Sequence, residues 1–190
     1  FKDFMAAMRR AGARELDARA IEKLSQAAFE FEGGKGVGCG QAHLKRDLVG
    51  KDASVLAEAA GVRVPTDTLL LFGETPEDHA FVQNEQMTPF IPIVRVRDVE
   101  EGIAAAVRAE RGYRHTAIIH SRNVDNVTKM ARALNTTLVV HNAPSTASLG
   151  VDAPSYLSFS IATPTGEGVT TPMTFTRERQ ITISGALRSH

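Results

Sequence analysis

An alternation of short apolar runs and amphipathic segments over residues 90–141 constrains the fold more than any other feature of this chain. Three apolar runs predict strands and two segments with one apolar face predict helices, in the order strand 90–96, helix 98–110, strand 116–120, helix 123–134 and strand 137–141. Each helix can return the chain so that successive strands run in the same direction. We therefore predict an α/β fold built on a parallel sheet.

Both predicted helices carry an apolar stripe at helical spacing. Asp98 and Glu101 have the spacing of a capping box at the start of the first helix, with Asp98 in place of the usual Ser or Thr. The stripes consist of Val99, Ile103, Ala106 and Val107 in the first helix, and of Val124, Val127, Ala131 and Leu134 in the second.

The chain before residue 90 predicts more helices and one buried strand. Residues 2–31 have helical periodicity, which is interrupted at Gly12. Residues 54–60 predict a short helix with Asp52 as its N-cap and Gly61 as its C-cap. The continuous apolar run at 69–72 is typical of a strand that is buried on both faces.

Composition excludes several classes of function. Lys plus Arg equals Asp plus Glu at 22 each, so no net charge favours binding to nucleic acid or to a membrane surface. No apolar run approaches membrane-spanning length. The single cysteine allows no internal disulfide and indicates a reducing compartment. The length of 190 residues suffices for one large domain, and the start at Phe1 indicates a piece of a longer protein.

Glu85 and His115 are the candidate functional residues. Glu85 stands just before an apolar strand, where a carboxylate either contacts a ligand or only solvates the surface. His115 begins the next strand, where it either handles a proton or hydrogen-bonds to backbone. We predict no metal site, because His115 and His120 are five residues apart on a strand and face opposite ways.

Residues 33–40 contain five glycines and the only thiol, Cys39. Such a loop is able to cradle a phosphate through its backbone N–H groups. It matches neither the Walker motif nor the dinucleotide fingerprint, however, and a plain flexible loop is the alternative. A thioester mechanism needs an activated thiolate, which makes Cys39 a tempting nucleophile.

An ordered set of motifs resembles the CoA-acylating branch of the aldehyde dehydrogenase superfamily, in particular the acetaldehyde and propionaldehyde dehydrogenases of bacterial microcompartments. The match runs from about residue 48 to about residue 180. The motifs are His79, Phe81, Glu85, Met87, Pro89 and Pro92, then RHTA at 114–117, HS at 120–121, NVDN at 123–126, TKM at 128–130 and TPTGEG at 163–168.

The resemblance implies a three-layer parallel-sheet catalytic domain of the aldehyde dehydrogenase type over residues 1–155, followed by a terminal loop and oligomerisation strand at 156–190. Residues 173–183 alternate in polarity, as expected for an exposed or bridging strand. In the superfamily this strand adds to the sheet of a neighbouring subunit, which implies a homodimer or homotetramer. The implied location is the cytoplasm, inside a bacterial microcompartment and in association with its shell.

The resemblance also implies the chemistry, which is oxidation of a short-chain aldehyde to acyl-CoA with NAD through a cysteine thioester. It implies that the nucleophilic cysteine lies upstream of Phe1, so that Cys39 is not the nucleophile and this segment alone is inactive. It assigns Glu85 and His115 to the active site, and it assigns Glu85, Asn142, Pro144, Thr165 and Gly166 to cofactor binding.

Two alternatives remain open from the sequence. A hydrolytic aldehyde dehydrogenase usually has Glu-x-Phe-Gly-Pro where residues 85–89 are EQMTP, which favours acylation. A non-catalytic oligomerisation module would not need both Glu85 and His115. Residues 151–154 (VDAP) replace a segment that is commonly glycine-rich in the microcompartment enzymes, so the aldehyde preference stays open.

Overall fold

The computed structural model describes residues 1–31, 42–152, 157–158, 161–162 and 168–185. The chain divides into two compact units, Phe1–Glu101 and Gly102–His190. The boundary that we predict between residues 155 and 156 stays a prediction, because both residues lie outside the described ranges.

The first unit contains a parallel sheet of three strands in the order β1-β4-β5 and an antiparallel pair, β2-β3. Leu71 of β4 pairs with Phe90 of β5. The elements are α1 (Lys2–Arg10), β1 (Arg14–Glu15), α2 (Ala18–Ala28), β2 (Phe29–Phe31), β3 (Ala42–Leu44), a 3-10 helix (Arg46–Leu48), α3 (Ala53–Ala59), β4 (Leu71–Glu74), α4 (Ala80–Gln83) and β5 (Phe90–Ile93).

Helix α2 covers the centre of this sheet. Asp17 begins the helix, and its side chain accepts a hydrogen bond from the Ala20 N–H at 2.8 Å. A Cβ added to Gly73 in β4 would lie 2.5 Å from Ile21 Cδ1 and 2.7 Å from the Leu16 carbonyl oxygen, so α2 and its entry loop approach the strand more closely than any side chain permits. The fully buried side chains that form the core include Leu24, Phe29, Leu56, Leu71 and Phe90.

Several predictions for this unit need correction. The strand predicted at 90–96 ends at Ile93, and Ala60 rather than Gly61 is the C-cap of α3. Residues 2–31 form two helices separated by β1, and they end in β2 rather than in helix. The strand predicted at 69–72 begins only at Leu71, and Leu69 is 86% exposed. The position of β1 within residues 2–31 and the start of β4 both follow from one strand pairing, because Arg14 pairs with Leu71. A local sequence pattern does not contain that information.

The second unit confirms the predicted strand–helix–strand crossover. β6 (Thr116–Ile119) and β7 (Leu138–His141) are parallel, α6 (Val124–Leu134) connects them, and Thr116 pairs with Leu138. Helix α5 (Val99–Glu110) leads into this unit. The remaining elements are a 3-10 helix (Ser145–Leu149), the antiparallel pair β8 (Ile161–Ala162) and β9 (Gly168–Val169), and a 3-10 helix (Pro172–Phe175).

The predicted apolar stripes are only partly buried. In α5 the buried residue is Ala105, whereas Val107 is 41% exposed. In α6 Leu134 is buried, as predicted, but Val124 is 68% exposed.

The predicted capping box is also only partly formed. The Asp98 carboxylate accepts from the Glu101 N–H at 2.9 Å, while the Glu101 carboxylate accepts from the Arg97 N–H at 2.7 Å, one residue before the position that a capping box uses.

The predicted terminal strand begins differently. Residues 172–175 form a 3-10 helix, so Met173 and Phe175 are not in a strand, and both side chains are about three-quarters exposed (75% and 76%). Ile181 and Ile183 are also exposed. Pairing of residues 176–183 with a second subunit stays a prediction. None of the helices in the described ranges has the length and apolar content needed to cross a membrane.

Candidate functional site

Glu85 projects from a loop whose other polar residues are anchored. It is exposed and makes no hydrogen bond or ion pair with the described residues. On either side, Asn84 Nδ2 donates to the Ala80 carbonyl at 3.0 Å and Gln86 Nε2 donates to the Phe81 carbonyl at 3.0 Å. The loop therefore holds Glu85 in place while leaving its carboxylate available to a ligand.

His79 caps α4, the short helix that precedes the loop carrying Glu85. Its Nδ1 accepts a hydrogen bond from the Phe81 N–H at 3.2 Å, and its ring stacks on that of Phe81 with centroids 5.6 Å apart. Phe81 is buried against Phe29 and Phe90, at centroid distances of 5.0 and 4.7 Å. Burial lowers the pKa of His79, while the carboxylates of Glu22 and Asp78 oppose that shift.

His115 follows a tight turn between α5 and β6. Its side chain is exposed, and Nδ1 lies 2.6 Å from the Thr116 hydroxyl. Its carbonyl accepts from the Leu138 N–H at 3.1 Å, which ties the residue to β7. Nε2 makes no hydrogen bond to the described residues, so this nitrogen is free to exchange a proton with a ligand.

Asn142 is one of the predicted cofactor-binding residues, and its side chain makes hydrogen bonds within the protein. Its Oδ1 accepts from the Ser121 N–H at 2.9 Å, and its Nδ2 donates to the Ser121 carbonyl at 3.0 Å. The residue has φ 53°, a left-handed conformation that Asn tolerates better than most residues. Asn142 therefore joins the loops that follow β6 and β7, and the exposed Pro144 lies just beyond it.

The structure does not bring His115 and Asn142 together. His115 precedes β6 and Asn142 follows β7, so they lie at opposite ends of the same strand pair. At a rise of about 3.3 Å per residue the separation along the strands is roughly 16 Å. Only an elongated ligand would contact both ends. Thr165 and Gly166, like Cys39, lie outside the described residues.

Glu85 and one cavity lined by residues of its unit likewise lie at opposite ends of a sheet. A cavity of about 420 Å³ lies at the carboxyl ends of β4 and β5, and Glu74, Arg95 and Glu101 are among its lining residues. Glu74 and Arg95 form an ion pair at 2.8 Å. Ligands of open parallel sheets usually bind at the carboxyl ends of strands, but Glu85 precedes β5. The described residues contain no cluster of His, Cys, Asp or Glu able to hold a metal ion.

Comparison with known proteins identifies the family. The model of the aldehyde dehydrogenase family matches residues 66–154, a segment that contains Glu85, His115, Asn142 and Pro144. The chain is also 48% identical over 149 residues to an acetaldehyde dehydrogenase (acetylating), EutE, of Salmonella typhimurium, an alignment that covers 78% of this chain and 32% of that protein. Over the matched segment, this chain belongs to the aldehyde dehydrogenase family.

Two solved aldehyde dehydrogenase structures share the fold. One is a propionaldehyde dehydrogenase from the fucose utilisation bacterial microcompartment of Clostridium phytofermentans, with TM-score 0.84 and 35% identity over 94% of this chain and 39% of that one. The other is a Rhodopseudomonas palustris propionaldehyde dehydrogenase with bound propionyl-CoA, with TM-score 0.83 and 37% identity over 94% of this chain and 38% of that one. The predicted α/β class and the predicted family are thus confirmed. The chain spans about a third of the length of the curated relative it matches.

Sequence reasoning missed two residues that shape this aldehyde dehydrogenase segment. His79 was a family motif residue without a role, and its capping of α4 depends on the short helix Ala80–Gln83 that the pattern did not predict. Glu110 was not singled out, although it is the last residue of α5 and its carboxylate binds the backbone of the turn before His115. A carboxylate two residues before Gly112 was the available signal.

Proposed function

We propose that this chain is the C-terminal part of a CoA-acylating aldehyde dehydrogenase, which oxidises a short-chain aldehyde to acyl-CoA with NAD. The observation that carries the proposal is the family match over residues 66–154, because it spans Glu85 and His115 together. The acetylating relative and the structure with bound propionyl-CoA support acylation over hydrolysis.

The described residues fit a nicotinamide cofactor at Glu85. Its carboxylate is exposed, held in an anchored loop and without a partner in the described part of the chain, so it is able to accept hydrogen bonds from ribose hydroxyls. The Asn142 amide is already bound to Ser121, so we propose that Asn142 and Pro144 contribute by shaping the loop. Thr165 and Gly166 stay proposed cofactor contacts.

The proposed reaction uses a cysteine upstream of Phe1 as nucleophile. Its thiolate adds to the aldehyde carbonyl, and the loss of hydride from that carbon leaves a thioester. NAD, when bound, supplies the hydride acceptor. In the second half, His115 Nε2 takes the proton of the CoA thiol as its sulfur attacks the thioester carbonyl. The same nitrogen returns that proton to the departing cysteine thiolate, so acyl-CoA leaves and the thiol is restored.

We further propose that the enzyme is a homodimer or homotetramer that works in the cytoplasm, inside a bacterial microcompartment and against its shell. The support for this location is the structural relative from a microcompartment. The exposed apolar side chains of the tail, among them Phe175 and Ile181, support association with another chain.

Incubating the full-length protein with propanal, NAD and CoA tests the activity. We expect propionyl-CoA by mass spectrometry, formed in step with NADH. Free propionate formed equally well without CoA would contradict acylation and favour the hydrolytic alternative.

The variants Glu85→Gln and His115→Asn, with oligomeric state checked, test the site. Loss of turnover with an intact oligomer would exclude a purely structural module, whereas unchanged turnover in both variants would overturn the site assignment.

A further inference from the structure

The turn that delivers the chain to His115 has an unusual backbone. Arg111, Gly112 and Arg114 have φ values of 55°, 80° and 53°. Glycine adopts this left-handed region freely, but the two arginines do so only under strain. Such strain persists where surrounding interactions hold the backbone in place, so the turn needs an identifiable restraint.

Glu110 provides that restraint. Its Oε2 accepts from the Gly112 N–H at 2.9 Å, and its Oε1 accepts from the Arg114 N–H. Its backbone carbonyl accepts from the Tyr113 N–H at 3.1 Å. Three successive N–H groups therefore donate to this one residue, and the two that reach the carboxylate form charge-assisted hydrogen bonds.

The position of Glu110 on its helix is otherwise unfavourable. It is the last residue of α5, where the partial negative charge of the helix terminus disfavours a carboxylate. Neutral side chains would end the helix at a lower electrostatic cost. The hydrogen bonds to the turn therefore account for a glutamate at this position, whereas the end of the helix does not.

The restrained turn fixes His115 from one side, and β7 fixes it from the other. The Arg114 carbonyl accepts from the Thr137 N–H at 2.9 Å, and the His115 carbonyl accepts from the Leu138 N–H at 3.1 Å. The backbone at Arg114 and His115 is therefore held between the Glu110 turn on one side and Thr137 and Leu138, at the start of β7, on the other. The side chain of His115 remains exposed.

We propose that Glu110 is a positioning residue for His115. Its carboxylate holds the left-handed turn so that the imidazole meets the reacting sulfur atoms at a constant distance. The catalytic consequence rests on the function proposed above, whereas the effect on the placement of His115 does not.

The test compares Glu110→Ala and Glu110→Gln in the full-length protein. Glu58 supplies the matched control, because it is an exposed glutamate in the last turn of α3 whose side chain makes no bond to the described residues. The readouts are the NMR signals of the His115 imidazole, assigned with His115→Asn, and the kinetics of acyl-CoA formation.

We expect Glu110→Ala to shift and broaden the His115 signals and to lower kcat about 10- to 100-fold, with KM for the aldehyde changed by less than about twofold. Glu110→Gln keeps one acceptor oxygen and should lie between wild type and Glu110→Ala, which keeps the test usable if the alanine variant folds poorly. Glu58→Ala should change neither readout.

Unmoved His115 signals in both Glu110 variants, or an equal loss in the Glu58 control, would overturn the inference. If the wild-type protein forms no acyl-CoA but the Glu110 variants still shift His115, the positioning role stands and the proposed function fails.

Discussion

The candidate site residues differ in whether their side-chain polar atoms already have hydrogen-bond partners within the described part of the chain. Around Glu85, the neighbouring amides of Asn84 and Gln86 are bound to backbone carbonyls, and only the carboxylate is left without a described partner. Asn142 differs, because its Oδ1 and its Nδ2 each make a hydrogen bond to the backbone of Ser121. Glu85 is therefore the better candidate for direct contact with a cofactor.

The variant Glu85→Gln should raise KM for NAD. A hydrogen bond to a charged group contributes roughly 1.5–3 kcal/mol, which corresponds to about a 10- to 100-fold change. KM for CoA should change by less than about twofold, and steady-state kinetics with each substrate varied in turn measures both. Glu58→Gln serves as the exposed control, and an equal rise in both Michaelis constants would argue against a cofactor contact.

His79 makes stability depend on pH through its cap. The Nδ1 atom accepts from the Phe81 N–H only while the imidazole is neutral, and burial lowers the pKa from the usual 6.5. The unfolded chain therefore binds more protons at this residue than the folded chain between the lowered pKa and 6.5. This contribution to stability is fully present above 6.5 and falls as the pH drops through the lowered pKa.

The variant His79→Asn should remove that dependence, since Asn caps helices and does not titrate. Urea unfolding at about pH 7.5 and about pH 5 should show a larger loss of stability for wild type than for the variant. Identical losses would mean that His79 titrates alike in the folded and unfolded chains.

At the scale of elements, the aspartates that precede α2 and α3 differ in whether their side chains cap the helix. Asp17 accepts from the Ala20 N–H, whereas Asp52 stands at the N-cap of α3 without a side-chain hydrogen bond. We expect Asp17→Ala to lower the free energy of unfolding by about 1 kcal/mol and Asp52→Ala to lower it by less than about 0.5 kcal/mol. Denaturant unfolding measures both, and equal losses would show that the difference between the caps has no energetic weight.

The same contrast shows what the sequence can predict about elements. The parallel crossover from β6 to β7 follows from apolar runs and amphipathic spacing, which are local properties. The division of residues 2–31 by β1 depends on pairing with β4, more than 50 residues away in the sequence. Backbone geometry also decides the hydrogen bonds between Asn142 and Ser121 and those between Glu110 and its turn. Residue type alone therefore did not predict these contacts.

For the whole molecule, the family was predictable because its motifs are spread in order along the chain. How the candidate site residues lie relative to one another was not predictable from the sequence. His115 and Asn142 lie at opposite ends of the β6–β7 pair, and Thr165 and Gly166 lie outside the described residues. The sequence pattern placed His115 at the start of one strand and Asn142 after the next strand correctly, but it carried no distance between them.

The assignment of the nucleophile is also a prediction about the whole molecule. We expect Cys39→Ser to leave acyl-CoA formation by the full-length protein within about twofold of wild type, because the thioester cysteine is expected upstream of Phe1. The isolated 190-residue chain should form no acyl-CoA. Loss of the acyl-enzyme in the Cys39→Ser variant, measured by intact mass, would make Cys39 the nucleophile after all.

The contact of β4 with α2 at Gly73 limits how this protein can vary. Every single-base change of a glycine codon that alters the amino acid introduces a Cβ, and at Gly73 that atom would meet Ile21 and the Leu16 carbonyl. The carbonyl belongs to the backbone, so no change of a neighbouring side chain can make room for it. Among descendants of this gene, position 73 should therefore stay glycine even where the rest of the sheet drifts.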